Sequence, residues 1–297
     1  MTEARWRALL AVADTGSIRA AAARMFVTEP AVSAAIASLS REVGAPLLER
    51  VGRGVQLTAP GERYAEYLRR VRGLLDEAAI AARGELDPAR GLLRLAAVTT
   101  VGDRLVPELL RRFRQRHPDV EMRLEVGPSA RVWQLFADRM VDVVVAGRPP
   151  DRAGGVVRAR REHSLVVVGA PEVVGGWNAA TTTWLLREPG SGTRATCEAL
   201  ISDLAASGPT MTLGSIGAVV AGAGAGLGVT LATWDLVAAD VEAGRLAVVP
   251  LPGLPLLRRW HAVTRHRPVP VADLFVRFLA GQDGWQAPRE RRTAGPV

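Results

Sequence analysis

The chain has 297 residues, 48% hydrophobic and 23% charged, a composition that suits about two ordinary globular domains. Its single cysteine, Cys197, excludes an internal disulfide framework and any multi-cysteine metal site. The four histidines, His117, His163, His261 and His266, lack metal-ligand spacing, so no metal and no cofactor are expected. The net charge of +8 is carried by arginine alone and favours a polyanionic partner, but it does not locate one, since residues 1–90 hold 13 Arg against 11 acids (+2) and residues 91–297 hold 25 against 19 (+6).

The opening segment sets Glu3, Arg5 and Arg7 around Trp6 and lacks a signal-peptide pattern. The long uncharged stretch 204–234 is broken by Pro209 and by repeated glycines, which makes it a poor membrane span. A cytoplasmic protein with no membrane partner is therefore expected. Trp6, Leu9, Leu10 and Ala13 recur at helical spacing, Asp14-Thr15-Gly16-Ser17 interrupts, and Ser17 is placed to cap a second helix running through Met25. Thr28 then caps a third helix with Pro30 in its first turn. Its stripe Val32, Ile36, Leu39 and Val43 faces inward, leaving Glu29, Ser33, Ala37 and Ser40 outward.

Extended runs at 46–50 and 55–57 flank Gly52-Arg53-Gly54, which predicts a β-hairpin wing. From Thr58 to about residue 83 a long helix places Tyr64, Leu68, Val71, Leu75 and Ala78 on one seam. Roughly 39 Å of helix at 1.5 Å per residue is too long to bury that seam on so small a domain, so it pairs with a second copy or, in the alternative, serves as a core helix. The segment 85–91 breaks the helix, with a hinge expected at 87–91. Beyond it, strands at 92–98, 120–126 and 141–146 alternate with helices at 105–116 and from Ser129, a βαβ texture that predicts a mainly parallel sheet. The pattern restarts with the apolar run 165–168, Trp184-Leu185-Leu186 and a helix after Ser191, so two lobes are expected. Gly222 to Gly228 misses the nucleotide-binding register and reads as a helix-to-strand connection.

Ser17, Ala21, Ala22, Met25, Thr28, Ala31, Ser33, Ile36 and Leu39, followed by Gly44, Leu47, Glu49, Arg50, Arg53, Leu57, Thr58 and Gly61, resemble the LysR-type transcriptional regulators over about the first 65 residues without a gap. The resemblance implies an α+β two-domain protein. An N-terminal winged helix-turn-helix (1–60) and a long linker and dimerisation helix (58–86) precede a C-terminal α/β periplasmic-binding-protein-like domain of two lobes (91–285), and a disordered tail is expected at 286–297. The partners it implies are double-stranded DNA, a small-molecule effector, and further copies of the chain, as a homodimer through residues 58–83 and a homotetramer. In this motif the third helix enters the major groove, where base edges are distinct, while flanking groups hold phosphates.

Many members carry glutamine where Glu29 stands and long polar residues where Ala34 and Ala37 stand. Base reading then falls to Glu29, which can accept from cytosine N4, to Ser33, and to methyl contacts from Ala34 and Ala37, with Ile18, Thr28 and Pro30 beside them. Arg19, Arg24, Arg50 and the wing-tip Arg53 are the candidates for phosphate or minor-groove contact.

In the C-terminal domain the resemblance implies a ligand crevice at the carboxyl ends of strands. Thr99 and Thr100, Pro128 and Ser129, and Ser191, Thr193 and Arg194 fall there, each group near a helix start that suits an anion. Arg148 either pairs with that anion or is an exposed structural arginine. The 184–194 stretch resembles the branch that regulates carbon dioxide fixation and sulfur assimilation genes, whose members often sense anionic metabolites. No catalytic constellation is visible, and no enzyme is expected. A free ligand-binding protein of the periplasmic type would explain the second half of the chain only.

Overall fold

The computed structural model describes residues 2–52, 54–84 and 87–288. The chain divides into two compact units, residues 1–79 with 138–140, and residues 80–137 with 141–297.

In the N-terminal unit, α1 (Glu3–Thr15), α2 (Ile18–Met25) and α3 (Glu29–Val43) follow one another through two tight turns. Gly16 takes the left-handed φ of 65° that ends α1, and the Ser17 hydroxyl accepts from the Ala20 N–H at 3.3 Å to start α2. Thr28 Oγ1 accepts from the Ala31 N–H at 3.4 Å at the head of α3. Trp6, Leu9, Leu10, Ile36 and Leu39 are buried over the small Ala21 and Ala22. Each fully buried large side chain contributes roughly 1.5–3 kcal/mol, against about 1 kcal/mol for a cap, so the apolar spacing decides the packing and the caps set its limits. Two expectations change at the end of α3. Val43 is exposed, and Ser40 turns inward so that its hydroxyl accepts from the Leu47 N–H at 3.4 Å.

Strands β1 (Leu48–Val51) and β2 (Gly54–Leu57) pair antiparallel, with Leu48 opposite Leu57 and Val51 opposite Gly54. The first strand begins later than expected because Leu47 is buried and the Pro46 carbonyl accepts from the Thr58 hydroxyl at 2.6 Å. Arg53 lies outside the described residues. Thr58 also caps α4 (Ala59–Gly84), its hydroxyl accepting from the Gly61 N–H at 3.0 Å. A β-carbon at position 61 would fall 2.0 Å from the Leu47 carbonyl oxygen, so glycine is required for α4 to approach this closely. Leu68 is buried and Tyr64 half-buried against this core, but Tyr67, Val71, Leu74 and Leu75 further along α4 are exposed.

Two non-glycine residues of this unit, Phe26 and Arg139, take left-handed φ, and the bulky Phe26 is the unfavourable one. Phe26 closes α2 at φ 56° and is 96% exposed. Left-handed backbone costs a bulky residue roughly 1–2 kcal/mol, whereas asparagine adopts it readily. Phe26→Asn is therefore expected to stabilise this unit by about 1 kcal/mol, read as a higher urea midpoint; a lower midpoint would contradict the conformational assignment.

In the C-terminal unit a 3-10 turn (Pro88–Arg90) leads into β3 (Leu92–Val98), a short helix α5 (Thr99–Gly102), α6 (Leu105–Arg116), β4 (Glu121–Gly127), α7 (Ser129–Ala137) and β5 (Val143–Ala146). Then come β6 (Val156–Gly169), α8 (Pro171–Gly175), β7 (Trp184–Leu186), α9 (Gly192–Asp203) and β8 (Thr210–Thr212). The unit closes with α10 (Ile216–Gly224), β9 (Thr230–Thr233), α11 (Trp234–Glu242), β10 (Ala247–Val248), β11 (Leu256–Thr264), α12 (Pro270–Ala280) and β12 (Trp285–Gln286). Of the tail expected at 286–297, Gln286 belongs to β12, and residues 289–297 lie outside the described ones.

The central sheet runs β10-β6-β11-β5-β3-β4. It is mixed: β3 is parallel to β4 and β5, whereas β11 pairs antiparallel with β5 and β6. The run 165–168 is thus the second half of a 14-residue strand, whose first half pairs with β11 and whose end pairs with β9 and β10. Strands β6 and β11 thereby join two lobes. In the second lobe, alternation along β6 sends Leu165 and Val167 into one cluster with Trp184 and Cys197, and Val166 and Val168 into another with Leu185 and Val219. The glycine-rich 222–228 segment connects α10 to β9. Among the described residues no helix is long and apolar enough to cross a membrane.

Candidate nucleic-acid interface and ligand cavity

The N-terminal unit presents α3 by its outward face. Thr28, Glu29, Pro30, Ser33, Ala34 and Ala37 are all exposed, and no cation lies between Thr28 and Ser40. Ile18, at the first turn of α2, is half-buried. Arg19 on α2 and Arg50 on β1 are exposed, and their side chains make no hydrogen bond or ion pair among the described residues. Arg24 differs, because its Nη1 lies 3.4 Å from Asp14, whose other carboxylate oxygen receives Arg69 at 3.2 Å. Surface pairs of this kind contribute about 0–1 kcal/mol, so Arg24 is oriented by Asp14 and remains available to a phosphate. The sequence reading passed over Phe26, which stands exposed two residues before Thr28.

The C-terminal unit contains a cavity of about 880 Å³ between its lobes. Thr99 and Thr100 enter it from the carboxyl end of β3, Pro128 and Ser129 from the head of α7, Arg148 from the loop after β5, and Ser191 and Thr193 from the head of α9. These are seven of the eight residues expected to bind the effector. Arg194 is not on the wall: its Nε donates to Glu198 at 2.7 Å and its Nη1 to the Arg187 carbonyl at 2.8 Å, so it braces the loop. Arg148 is highly exposed at the rim, 4.0 Å from Asp151.

Sequence reasoning missed the wall formed by the joining strands and by Arg187. Arg160, Glu162 and His163 come from β6, and Arg258, Arg259, Trp260 and His261 from β11. These residues occupy mid-strand positions, away from the strand ends where ligand groups are expected. The available signal was the run Arg158-Ala159-Arg160-Arg161-Glu162-His163, too charged for an ordinary interior strand. Five arginines of the wall (148, 160, 187, 258 and 259) face Asp151 and Glu162 there, and Glu188 neutralises Arg187 in an ion pair, which leaves a net charge of +2. Arg160 and Arg258 have no hydrogen-bond or ion-pair partner among the described residues, whereas Arg259 lies 3.0 Å from Glu162. Helix N-termini at α7 and α9 add positive potential of the same sign.

His163 stacks on Trp260 with ring centroids 3.9 Å apart and 7° between planes. Burial lowers its pKa to about 4, helped by Arg161 and Arg258 and opposed by Asp235, so the ring is neutral at pH 7. From pH 6.5 down to 4 the unfolded chain takes up a proton that the folded chain excludes, so stability falls with pH across that window, by up to about 3 kcal/mol from this group. His163→Phe, which keeps the stack, is expected to lose less stability than the parent between pH 7 and pH 4.5. Equal losses in urea unfolding would exclude His163 as the source. Cys197 is buried, and desolvation pushes its thiol up to about 11, the opposite of a reactive thiolate.

Residues 4–62 match the family described as "Bacterial regulatory helix-turn-helix protein, lysR family", and residues 87–283 match "LysR substrate binding domain". The chain is 31% identical over 285 residues to the HTH-type transcriptional regulator CbbR of Xanthobacter flavus, covering 92% of this chain and 85% of that protein. Its fold resembles that of full-length CbnR complexed with its target DNA, with a TM-score of 0.65 and 21% identity over 94% of this chain and 98% of that one. It also resembles the Synechocystis PCC6803 CcmR regulatory domain in complex with 2-PG, with a TM-score of 0.56 and 21% identity over 63% of this chain and 94% of that one.

Proposed function

The chain belongs to the LysR family of bacterial regulatory proteins, and from that membership we propose that it is a cytoplasmic transcription regulator, without catalytic activity, whose grip on double-stranded DNA is set by a small anion in the C-terminal cavity. The observation that carries the reading is the cavity wall, whose net charge of +2 is joined by two helix N-termini in the same chain as a capped, outward-facing α3. Two structural relatives support both halves, since CbnR is complexed with its target DNA and the CcmR regulatory domain with 2-PG. The DNA contacts divide by chemistry. Glu29 and Ser33 read base edges, Ala34 and Ala37 make methyl contacts, and Arg19, Arg24, Arg50 and Arg53 hold phosphates. Thr99, Thr100, Ser129, Ser191 and Thr193 bond the effector, and the exposed apolar residues of α4 pair with a second copy to form the dimer from which a tetramer is built.

Fluorescence anisotropy on DNA from upstream of the protein's own gene tests this division. Arg50→Ala and Arg53→Ala are expected to weaken binding to all sequences about equally and to flatten the salt dependence by about one unit of slope each. Ser33→Ala is expected to change preference at one base pair by on the order of 1 kcal/mol. A sequence-selective effect of Arg50→Ala would reassign that residue to base reading.

A further inference from the structure

We infer that Arg187 is the specificity-determining residue of the anion cavity, offering Nη1 to a ligand oxygen, and that Glu188 is the positioning residue that aims it. The inference rests on the reading of the cavity as an anion site.

Arg187 directly follows β7 and is buried, with a relative exposure of 3%, yet it forms part of the cavity wall. Its Nε donates to Glu188 Oε2 at 2.7 Å and its Nη2 to Glu188 Oε1 at 2.5 Å, a two-bond fork that fixes the plane of the guanidinium. Nη1 is buried and has no hydrogen-bond partner among the described residues. A buried donor left unmet is unfavourable and in native proteins calls for an explanation. Here the explanation lies in its surroundings. Ser191, Gly192 and Thr193, at the head of the 12-residue α9, share the same wall. Arg187, with its unmet Nη1, and the helix start, with its free N–H groups, thus line one cavity. The backbone is held as well, because the Arg187 carbonyl accepts from Arg194.

Glu188 gives this seat a distinctive character. Burial works against ionising its carboxyl, but the bonds from Arg187 outweigh that and hold it below the ordinary carboxylate range. The pair is therefore an ion pair of zero net charge, so what it offers a ligand is direction more than attraction. An oxyanion with several terminal oxygens can take Nη1 and the α9 N–H groups together. A free arginine at the same place would attract every anion with less discrimination.

Calorimetry on the full-length protein with 2-phosphoglycolate, inorganic phosphate and acetate tests this. The parent is expected to prefer phosphoglycolate, and Arg187→Gln to weaken it by on the order of 30-fold, while Thr100→Ala weakens it only a few-fold. The double variant Arg187→Gln/Glu188→Gln leaves no buried charge unpaired, so it guards against simple unfolding and is expected to show the same loss. Glu188→Gln, which frees the guanidinium, is expected to tighten all three anions and to narrow the preference among them, an effect that a merely structural role would not produce. Parent binding that persists within three-fold in both Arg187 variants overturns the role of Arg187 and leaves the anion reading intact. An unchanged preference in Glu188→Gln overturns the positioning role. Failure of the parent to bind any of the three overturns the anion reading and this inference with it.

Discussion

Asp142→Ala is expected to destabilise the C-terminal unit by about 3–5 kcal/mol, the usual effect of removing one partner from a buried ion pair. Asp142 stands just before β5, and its side chain is only 2% exposed. Its carboxylate accepts from Arg94 Nε at 3.0 Å, Arg94 Nη2 at 2.6 Å and the Arg94 backbone N–H at 3.1 Å. The Asp142 N–H returns a bond to the Arg94 carbonyl at 2.8 Å. Alanine would deprive a buried guanidinium of the Asp142 carboxylate and both of its side-chain bonds to it. The loss has a functional side, since this lock joins β3 and β5, whose carboxyl ends carry Thr99, Thr100 and Arg148 to the cavity. Urea unfolding of the single variant is expected to show the full loss. Arg94→Met/Asp142→Leu, which removes both charges, is expected to be less destabilised than Asp142→Ala. A single variant within 1 kcal/mol of the parent would mean that water reaches the pair.

The second large effect concerns α4. Its seam divides into two parts with different roles: Tyr64 and Leu68 pack on the chain's own helix-turn-helix, whereas Val71 and Leu75 are exposed together with Tyr67 and Leu74. A bare apolar stripe on a long helix is the natural seat of an identical stripe from a second copy. Because α3 carries no cation before Arg41 in its last turn, one head offers few contacts, and linking two heads makes the second engagement intramolecular, a gain on the order of 10²–10⁴. Val71→Glu/Leu75→Glu is therefore expected to yield monomers in sedimentation. On DNA with two half-sites, affinity is expected to fall at least about 100-fold, with little change on a single half-site. A double variant that sediments as the parent does would move the dimer contact elsewhere.

The N-terminal unit was largely legible in the sequence because its information is local. Caps at Ser17 and Thr28, the left-handed Gly16 and the helical spacing of Trp6, Leu9 and Leu10 each act within a few residues. The departures there come from tertiary partners: Ser40 is drawn inward by the Leu47 N–H, and Val43 has nothing to cover it. The C-terminal sheet was less legible because β6 and β11 pair across about a hundred residues. No local pattern shows that a charged run and a distant strand will build one wall. For the same reason the helix-start residues Ser129, Ser191 and Thr193, which line the cavity, could be singled out from their neighbours in sequence, while the place of Arg160, Arg187 and Arg258 on its wall required the fold. Arg194 looked like a ligand group on spacing and became a brace, because Glu198, one helical turn on, holds it.

The most direct measurement is DNase footprinting on the region upstream of the protein's own gene, with and without 2-phosphoglycolate at saturating concentration. A ligand acts on DNA binding only through different affinities for two arrangements of the protein, and the coupling is reciprocal. A regulator of the kind proposed protects two half-sites, changes the extent or midpoint of that protection when the anion is added, and binds the anion with altered affinity when DNA is present. Absence of protection at micromolar protein, or protection indifferent to an anion that calorimetry shows to be bound, would contradict it.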